Sequence, residues 1–249
     1  MASHARIAVI TDVHANVLAL DAALAAIAGA DCDAIFHTGD AIGIGPYPAE
    51  CLDRLLSTPD MHCLMGNHDE LFAHGLPAPR PEWMSEGEEE HQRWTHAQLD
   101  PALRAAVAAW PWAIRAAYGP LAVSFQHYAL DAAGRGLGPF IARPDAAAFD
   151  RAFPDDGSTL FFYGHDHQLS DLQGRARYIN PGALGCHSAP LARFAILDIG
   201  DDGEYAVRHE AVPYDEAPLL RAFAEREVPE RDFILRAFFG KVAGGPERA

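Results

Sequence analysis

Positive charge is what this chain most lacks. Its 19 Lys and Arg residues stand against 35 Asp and Glu, a formal net charge of -16. Such a surface repels nucleic acid and anionic lipid, so neither is an expected partner, and the missing basic stripe disfavours a nuclease. A phosphate-bearing ligand would need a concentrated cation, for which bound metal is the obvious candidate. Long apolar runs are missing too. No segment approaches the roughly 20 consecutive apolar residues that span a bilayer. The N-terminal run, residues 7–10, stops at Asp12 and is too short for a signal-peptide core. A cytoplasmic protein is expected. The four cysteines, Cys32, Cys51, Cys63 and Cys186, form no CxxC pair and no zinc-like spacing, so they read as small, partly buried apolar residues. There is no phosphate-cradling Gly-x-x-x-x-Gly-Lys-Ser/Thr loop, no internal repeat and no linker long enough to separate domains. With 249 residues, 49% hydrophobic and 22% charged, one domain can bury a core. The expected organisation is a single domain, 1–249, with a helical Trp-rich insertion at about 71–115.

What is present is a series of short apolar runs that end in acid, amide or imidazole. Residues 6–11 read as a buried strand leading to Asp12-Val13-His14-Ala15-Asn16, with Asn16 placed to cap a helix that extends to about 28. Asp12 and His14 alternate about Val13, so in extended backbone both side chains point the same way. Residues 34–36 lead into His37-Thr38-Gly39-Asp40, a strand ending in a tight turn with an acid at its tip. A glycine and proline loop, 41–48, precedes a helix over about 49–57, and a third strand, 62–65, delivers Gly66-Asn67-His68-Asp69. Residues 71–112 are less regular and hold all four tryptophans. Trp83 and Trp94 are eleven apart, so on one helix they share a face. Core packing, a lid or a subunit contact are the readings there, and self-association stays open. Glu86 to Glu90 reads as a solvated helix start, and His91 and His96 are too poorly spaced to share a ligand.

A strand at 121–125 ends in Gln126-His127, a helix follows over about 145–153, and a strand at 159–163 delivers Gly164-His165-Asp166-His167. Residues 177–179 run into Asn180-Pro181-Gly182, while 194–199 and 205–212 read as an antiparallel pair turning at Asp201-Asp202-Gly203. Two helices, about 216–227 and 229–239, precede a Gly/Pro tail expected to be mobile.

Five strand ends thus present Asp12 and His14, Asp40, Asn67 and His68, His127, and His165 with His167. In an open α/β sheet the carboxyl ends of the strands share one edge, so these groups can converge. Two divalent ions roughly 3.5–4 Å apart need a shared carboxylate, terminal N and O ligands and an open face. Asp40 supplies the bridge. One ion would take Asp12, His14 and His167, the other Asn67, His127 and His165. Two carboxylates against two divalent cations leave net positive charge, which could hold phosphate on an acidic protein. All-N/O ligation with several imidazoles suits transition metals, Mn foremost and Fe, Zn, Ni or Co beside it, better than Mg or Ca.

The order D-x-H, G-D, G-N-H-D, H, G-H-x-H over residues 12–167 resembles the calcineurin-like metallophosphoesterase superfamily. The flanking Gly43-Ile44-Gly45-Pro46-Tyr47-Pro48 and Asn180-Pro181-Gly182 resemble its bacterial and archaeal small phosphodiesterase branch. The resemblance implies a four-layer αββα sandwich of two mixed sheets, a dinuclear site on the ligands named above, and His68 beside the metals rather than on them. It further implies in-line attack by a metal-bridging hydroxide, with His68 stabilising charge or protonating the leaving oxygen. Asp69 either orients His68 or caps the following helix, and Asp166 is a candidate second-layer partner for a ligand imidazole. Protein Ser/Thr phosphatases of the superfamily carry Asp-Arg where this chain has Gly43-Ile44, which disfavours a phosphoprotein substrate. Gly185-Cys186-His187-Ser188 replaces a segment that brings Gln and Arg toward the site in many relatives, so the substrate-binding residues stay unassigned. His187 reads as a surface-loop residue sooner than a substrate contact. His37 reads as a packed strand residue, and His4, His62, His74 and His209 have no partner spacing. The expected activity is hydrolysis of small phosphodiesters, with phosphomonoesters a further option. The alternatives are a protein phosphatase or a scaffold on the same fold, and a scaffold should have lost His68 or several ligands.

Overall fold

Short β-branched and aromatic runs bounded by Gly, Asp and Asn build two five-stranded sheets packed face to face in this computed structural model, which describes residues 5–241. The first half of the chain gives β1 (Ala5–Ile10), α1 (Val17–Gly29), β2 (Ala34–His37), α2 (Pro48–Ser57), β3 (Met61–Cys63), α3 (Asn67–His74), α4 (Glu86–Ala97) and α5 (Leu103–Ala108). The second gives β4 (Ala113–Tyr118), β5 (Leu121–Gln126), α6 (Ala146–Ala152), β6 (Leu160–Phe162), β7 (Ser170–Gln173), β8 (Arg177–Asn180), β9 (Leu191–Ile199), β10 (Tyr205–Pro213), α7 (Ala217–Glu225) and α8 (Arg231–Phe239). The sheet orders are β10-β9-β1-β2-β3 and β4-β5-β6-β8-β7. Within them β1, β2 and β3 run parallel, as do β5, β6 and β8. Their carboxyl ends therefore carry every loop that sequence reading singled out.

Alternation sets which side chains meet. Ile7 and Val9 face Val123, Phe125, Leu160 and Phe162 between the sheets, while Ala8 and Ile10 face α1. Phe36 stacks on Phe125 at 3.8 Å between ring centroids, and each such fully buried side chain contributes roughly 1.5–3 kcal/mol relative to exposure. The outer face of the second sheet packs Phe161, Tyr163 and Tyr178 against Phe149 of α6. Helices thus cover both outer faces, the αββα layering. A separate apolar cluster joins Phe223 of α7, and Ile234 and Phe239 of α8, to Ile44 and Cys186 in the site loops.

Several boundaries differ from expectation. The third strand stops at Cys63 instead of 65, because the Met65 amide turns to the Pro111 carbonyl at 3.0 Å. β4 and β7 lie at sheet edges with one face exposed, so neither shows a strong strand pattern, and residues 113–115 of the expected helical insertion belong to β4. Trp83 and Trp94 do not share a helix. Ser85 caps α4 by accepting from the Glu88 amide, so Trp83 precedes the helix and is 67% exposed, whereas Trp94 packs beside the α7 and α8 cluster. His4 and most of the tail lie outside the described residues. Among the described residues no helix is long and apolar enough to cross a membrane.

Candidate metal centre

The turn after β1 is held by ladder-like bonds to the turn after β2: the amides of Asp12, His14 and Ala15 donate to the carbonyls of Gly39, Asp40 and Ala41 at 3.0 Å. Asp12, His14, Asp40, His165 and His167 all have positive φ, between 45° and 72°. Backbone in that region costs an L residue on the order of 1–3 kcal/mol and persists only where surrounding bonds determine it. Here they do. The Gly164-His165 turn is pinned by the His165 amide donating to both Asp12 carboxylate oxygens at 3.1 Å, and by Asn180 donating to the Gly164 carbonyl and to Asp166. Asn180-Pro181-Gly182 thus acts as a brace for the histidine turn.

All seven expected ligand residues come together. His14 Nε2 lies 2.8 Å from His167 Nε2 and 3.7 Å from both Asp12 Oδ1 and Asp40 Oδ2. On the other side, Asn67 Oδ1 lies 3.1 Å from His127 Nε2 and 3.0 Å from His165 Nδ1, and Asp40 Oδ2 is 3.3 Å from His127 Nε2. Asp40 Oδ1 accepts from the His68 amide at 2.9 Å. One oxygen of Asp40 therefore faces both halves while the other is occupied by backbone.

The donor chemistry fits divalent ions. His14 Nδ1 meets the Ile42 carbonyl at 3.3 Å, and His127 Nδ1 meets the Thr38 carbonyl at 3.0 Å. A carbonyl only accepts, so each Nδ1 carries a proton and each ring turns its Nε2 inward. Those nitrogens face carboxylate, amide and imidazole acceptors, an arrangement that requires a cation or a proton between them. Titration agrees. Burial, then His167, holds His14 well below the ordinary imidazole value, and burial, then His127, lowers His165 to about 4. Burial also opposes charge on His127, but Asp40 and Asp12 outweigh it and raise that imidazole to about 9. Burial would raise Asp40, yet His127 and His68 more than offset it and hold the carboxyl well below its usual range. Metal binding demands deprotonated ligands; burial holds His14 and His165 neutral and the neighbouring imidazoles hold Asp40 as carboxylate, while His127 keeps a proton that an ion would displace.

His68 sits at the edge of the cluster, its ring 5.2 Å from that of His14 and edge-on to it. Its orienting partner is not Asp69. The Asp69 carboxylate is fully buried and accepts the amides of Asp40, Ala41 and Gly66 at 2.8 to 3.1 Å, so it clamps the start of α3 to the Asp40 turn. His68 Nδ1 instead meets the Gln92 side-chain amide of α4 at 2.6 Å. Gly43, with φ +80°, makes room: a Cβ there would lie 2.4 Å from His68 Nδ1. Sequence reading missed Gln92. Its only signal was that Gln92 and Thr95 are polar residues on the buried face of α4, where apolar residues are the rule.

Three other side chains differ from expectation or extend it. Asp166 binds Asn180 and the Gln168 amide rather than an imidazole. His187 accepts the Ala189 amide within its own turn, the surface-loop role. Cys186 is buried and free, but its sulfur lies within 4.8 Å of ring nitrogens of His14 and His167, so it borders the Asp12 half of the site. His37 is a fully buried strand residue as expected.

Similarity to known proteins points the same way. A family model described as the calcineurin-like phosphoesterase superfamily domain matches residues 5–202. A metallophosphoesterase from Sphaerobacter thermophilus superposes with a TM-score of 0.66 at 26% identity, covering 91% of this chain and 95% of that one. A hypothetical protein from Pyrococcus horikoshii OT3 shares the fold with a TM-score of 0.78 at 19% identity, covering 96% and 99%. An uncharacterized protein of Methanocaldococcus jannaschii is 43% identical over 65 residues, 25% of this chain and 26% of that relative, so the match spans about a quarter of its length. Family model, layered sheets and converging ligand set agree, and the chain belongs to the calcineurin-like phosphoesterase superfamily.

Proposed function

We propose that this protein is a metal-dependent phosphodiesterase that hydrolyses small phosphodiesters at a dinuclear centre. The observation that carries the reading is Asp40 Oδ2, placed 3.7 Å from His14 Nε2 and 3.3 Å from His127 Nε2, between two half-sites whose donor atoms converge. Asp12, His14 and His167 would hold one ion, Asn67, His127 and His165 the other, and Asp40 both. Nitrogen and oxygen donors of this kind suit Mn, Fe, Zn, Ni or Co, with Mn the first to test. When bound, the ions supply positive charge to phosphoryl oxygens and acidify water for attack on phosphorus.

The chain's own residues do the rest. Gln92 holds His68 through Nδ1, which leaves Nε2 to meet the leaving oxygen, stabilise its charge and deliver a proton. Gly43 and Ile44 supply neither acid nor arginine at that rim, which supports a small diester over a phosphoprotein. The intact ligand set and His68 support an enzyme over a scaffold. The charge of -16 speaks against nucleic acid partners, and the widely spaced free cysteines support a reducing compartment, hence the cytoplasm.

Asp40→Asn and His68→Ala should each lower turnover of bis(4-nitrophenyl) phosphate by at least about 100-fold. Elemental analysis should separate them, with metal lost from the first and retained in the second. Full turnover in either variant would overturn the role given to that residue.

A further inference from the structure

Beside the metal centre lies a cavity of about 450 Å³, closed by His68 at its inner end and walled by α4 and α8. This volume is in the range of sites for small organic ligands. Phe233 and Phe238 of α8 form one wall, in edge contact with each other at 6.4 Å, and Phe238 lies 5.7 Å from the His167 ring. The cavity thus extends from His68 to a ring that borders His167. Its polar lining is one-sided. Glu88 and Glu230 contribute carboxylates, no Lys or Arg among the described residues lines it, and Gln92, fully buried, leaves Oε1 without a partner among them. Acids also outnumber cations at the helix ends nearest the cavity: Glu86, Glu88 and Glu89 occupy the first turn of α4, and Glu230 is the N-cap residue of α8, whose first turn pairs Arg231 with Asp232 at 3.5 Å. Neither helix N-terminus is free to favour an anion.

We propose that this cavity receives the leaving alcohol of the diester, and that it selects an aromatic alcohol that carries hydrogen-bond donors and is neutral or cationic. Flat rings find faces on Phe233 and Phe238. The unpaired Gln92 oxygen and the two carboxylates accept from hydroxyl or amino groups. An alcohol bearing a further phosphate meets like charge from Glu88 and Glu230, so polyphosphorylated leaving groups are disfavoured. The inference rests on the phosphodiesterase reading, since it names the part of that substrate the cavity holds.

The test is a set of methyl aryl phosphodiesters whose phenol carries an amide, an ammonium or a phosphonate group, each rate normalised to uncatalysed hydrolysis. The amide and ammonium esters should exceed the phosphonate ester by at least about 30-fold in kcat/KM. In a Glu88→Gln, Glu230→Gln double variant, the gap should shrink to under about fivefold. Phe233→Ala should raise KM for the amide ester at least about fivefold, more than it lowers kcat. Calorimetric binding of 4-aminobenzyl alcohol to the metal-loaded protein provides a readout free of turnover, and Phe233→Ala should weaken it. Turnover of all three esters at equal normalised rates would overturn the cavity's role and leave the phosphodiesterase standing. Alcohol binding that responds to Phe233 without turnover of any diester would overturn the phosphodiesterase reading alone. Absence of both would overturn both.

Discussion

The metal centre and the cavity beside it share His68 yet are built by opposite means. The centre hangs on loops at the ends of parallel strands, and five of its seven ligand residues sit at positive φ, held by backbone bonds between turns. The cavity wall is two helices far apart in the chain and joined through side chains, as where His91 of α4 meets the Pro229 carbonyl just ahead of α8 at 3.3 Å. A metal site tolerates little displacement, and backbone geometry provides that tolerance. A pocket for an organic group tolerates more, and helices can be repacked without moving the ligands. Substitutions should therefore do different damage on the two sides of His68.

The largest effect should come from Gly66→Ala. A Cβ there would lie 2.2 Å from the Asp40 amide nitrogen and 2.3 Å from Asp40 Oδ1, and neither can yield without moving the Asp40 carboxylate. Stability should fall by about 3 kcal/mol, the upper part of the usual overpacking range. Metal content should fall below half that of the wild type. Glu88→Ala, on the cavity side, should stay within about 0.5 kcal/mol and keep its metal. Denaturant melts with elemental analysis measure both. A Gly66→Ala protein with normal metal content would show that backbone contact does not govern the centre.

An intermediate effect is expected at the boundary itself. Gln92→Leu removes the partner of His68 Nδ1 and should lower kcat about tenfold through loss of orientation, with metal content unaltered. Gln92→Glu puts an acceptor where the amide donates, so it holds the ring only with a proton on Nδ1 and should recover part of that loss. If Leu and Glu behave alike, Gln92 is packing and His68 is oriented by something else.

This boundary is also where sequence reading stopped. The convergence of Asp12, His14, Asp40, Asn67, His127, His165 and His167 was legible because each is a residue that a strand delivers at its carboxyl end, and short motifs bring such groups within a few positions. Gln92 was not, because its contact with His68 joins residues 24 apart on separate helices. The pairing of α4 with α8 spans |i−j| of 138 at His91 and Pro229 and leaves no mark in local spacing. Asp69 and Asp166 were legible as important acids, but their roles were not. A carboxylate can bind imidazole or backbone amide from the same position, and here backbone took both. Edge strands β4 and β7 escaped for a related reason, since with one face wet they alternate too weakly to stand out.

The smallest effect should be seen with acid. His37, beneath the Asp40 turn, and His91, in the helical wall, are both almost fully buried, but His37 has no hydrogen-bond partner on either ring nitrogen while His91 bonds the Pro229 carbonyl. Burial lowers His37 to about 3 and His91 to about 4 from the ordinary 6.5. The neutral forms are thus favoured on folding. This contribution is fully present above pH 6.5 and is lost as pH falls from 6.5 toward the folded values, because the unfolded chain then binds protons the folded one excludes. Between pH 7 and pH 5.5 each histidine should cost about 1 kcal/mol of stability. His37→Leu should remove that slope and raise stability at pH 7, since an unpaired buried imidazole gives way to an apolar group. His91→Leu should remove its slope as well, yet lower stability at pH 7 by breaking the tie between α4 and α8. Urea melts at the two pH values, with both variants compared to wild type after metal removal, cancel the titration of the ligand histidines. A His37→Leu protein that keeps the wild-type acid slope would mean that water reaches the ring, and that the region under the metal centre is less tightly closed than its backbone bonds imply.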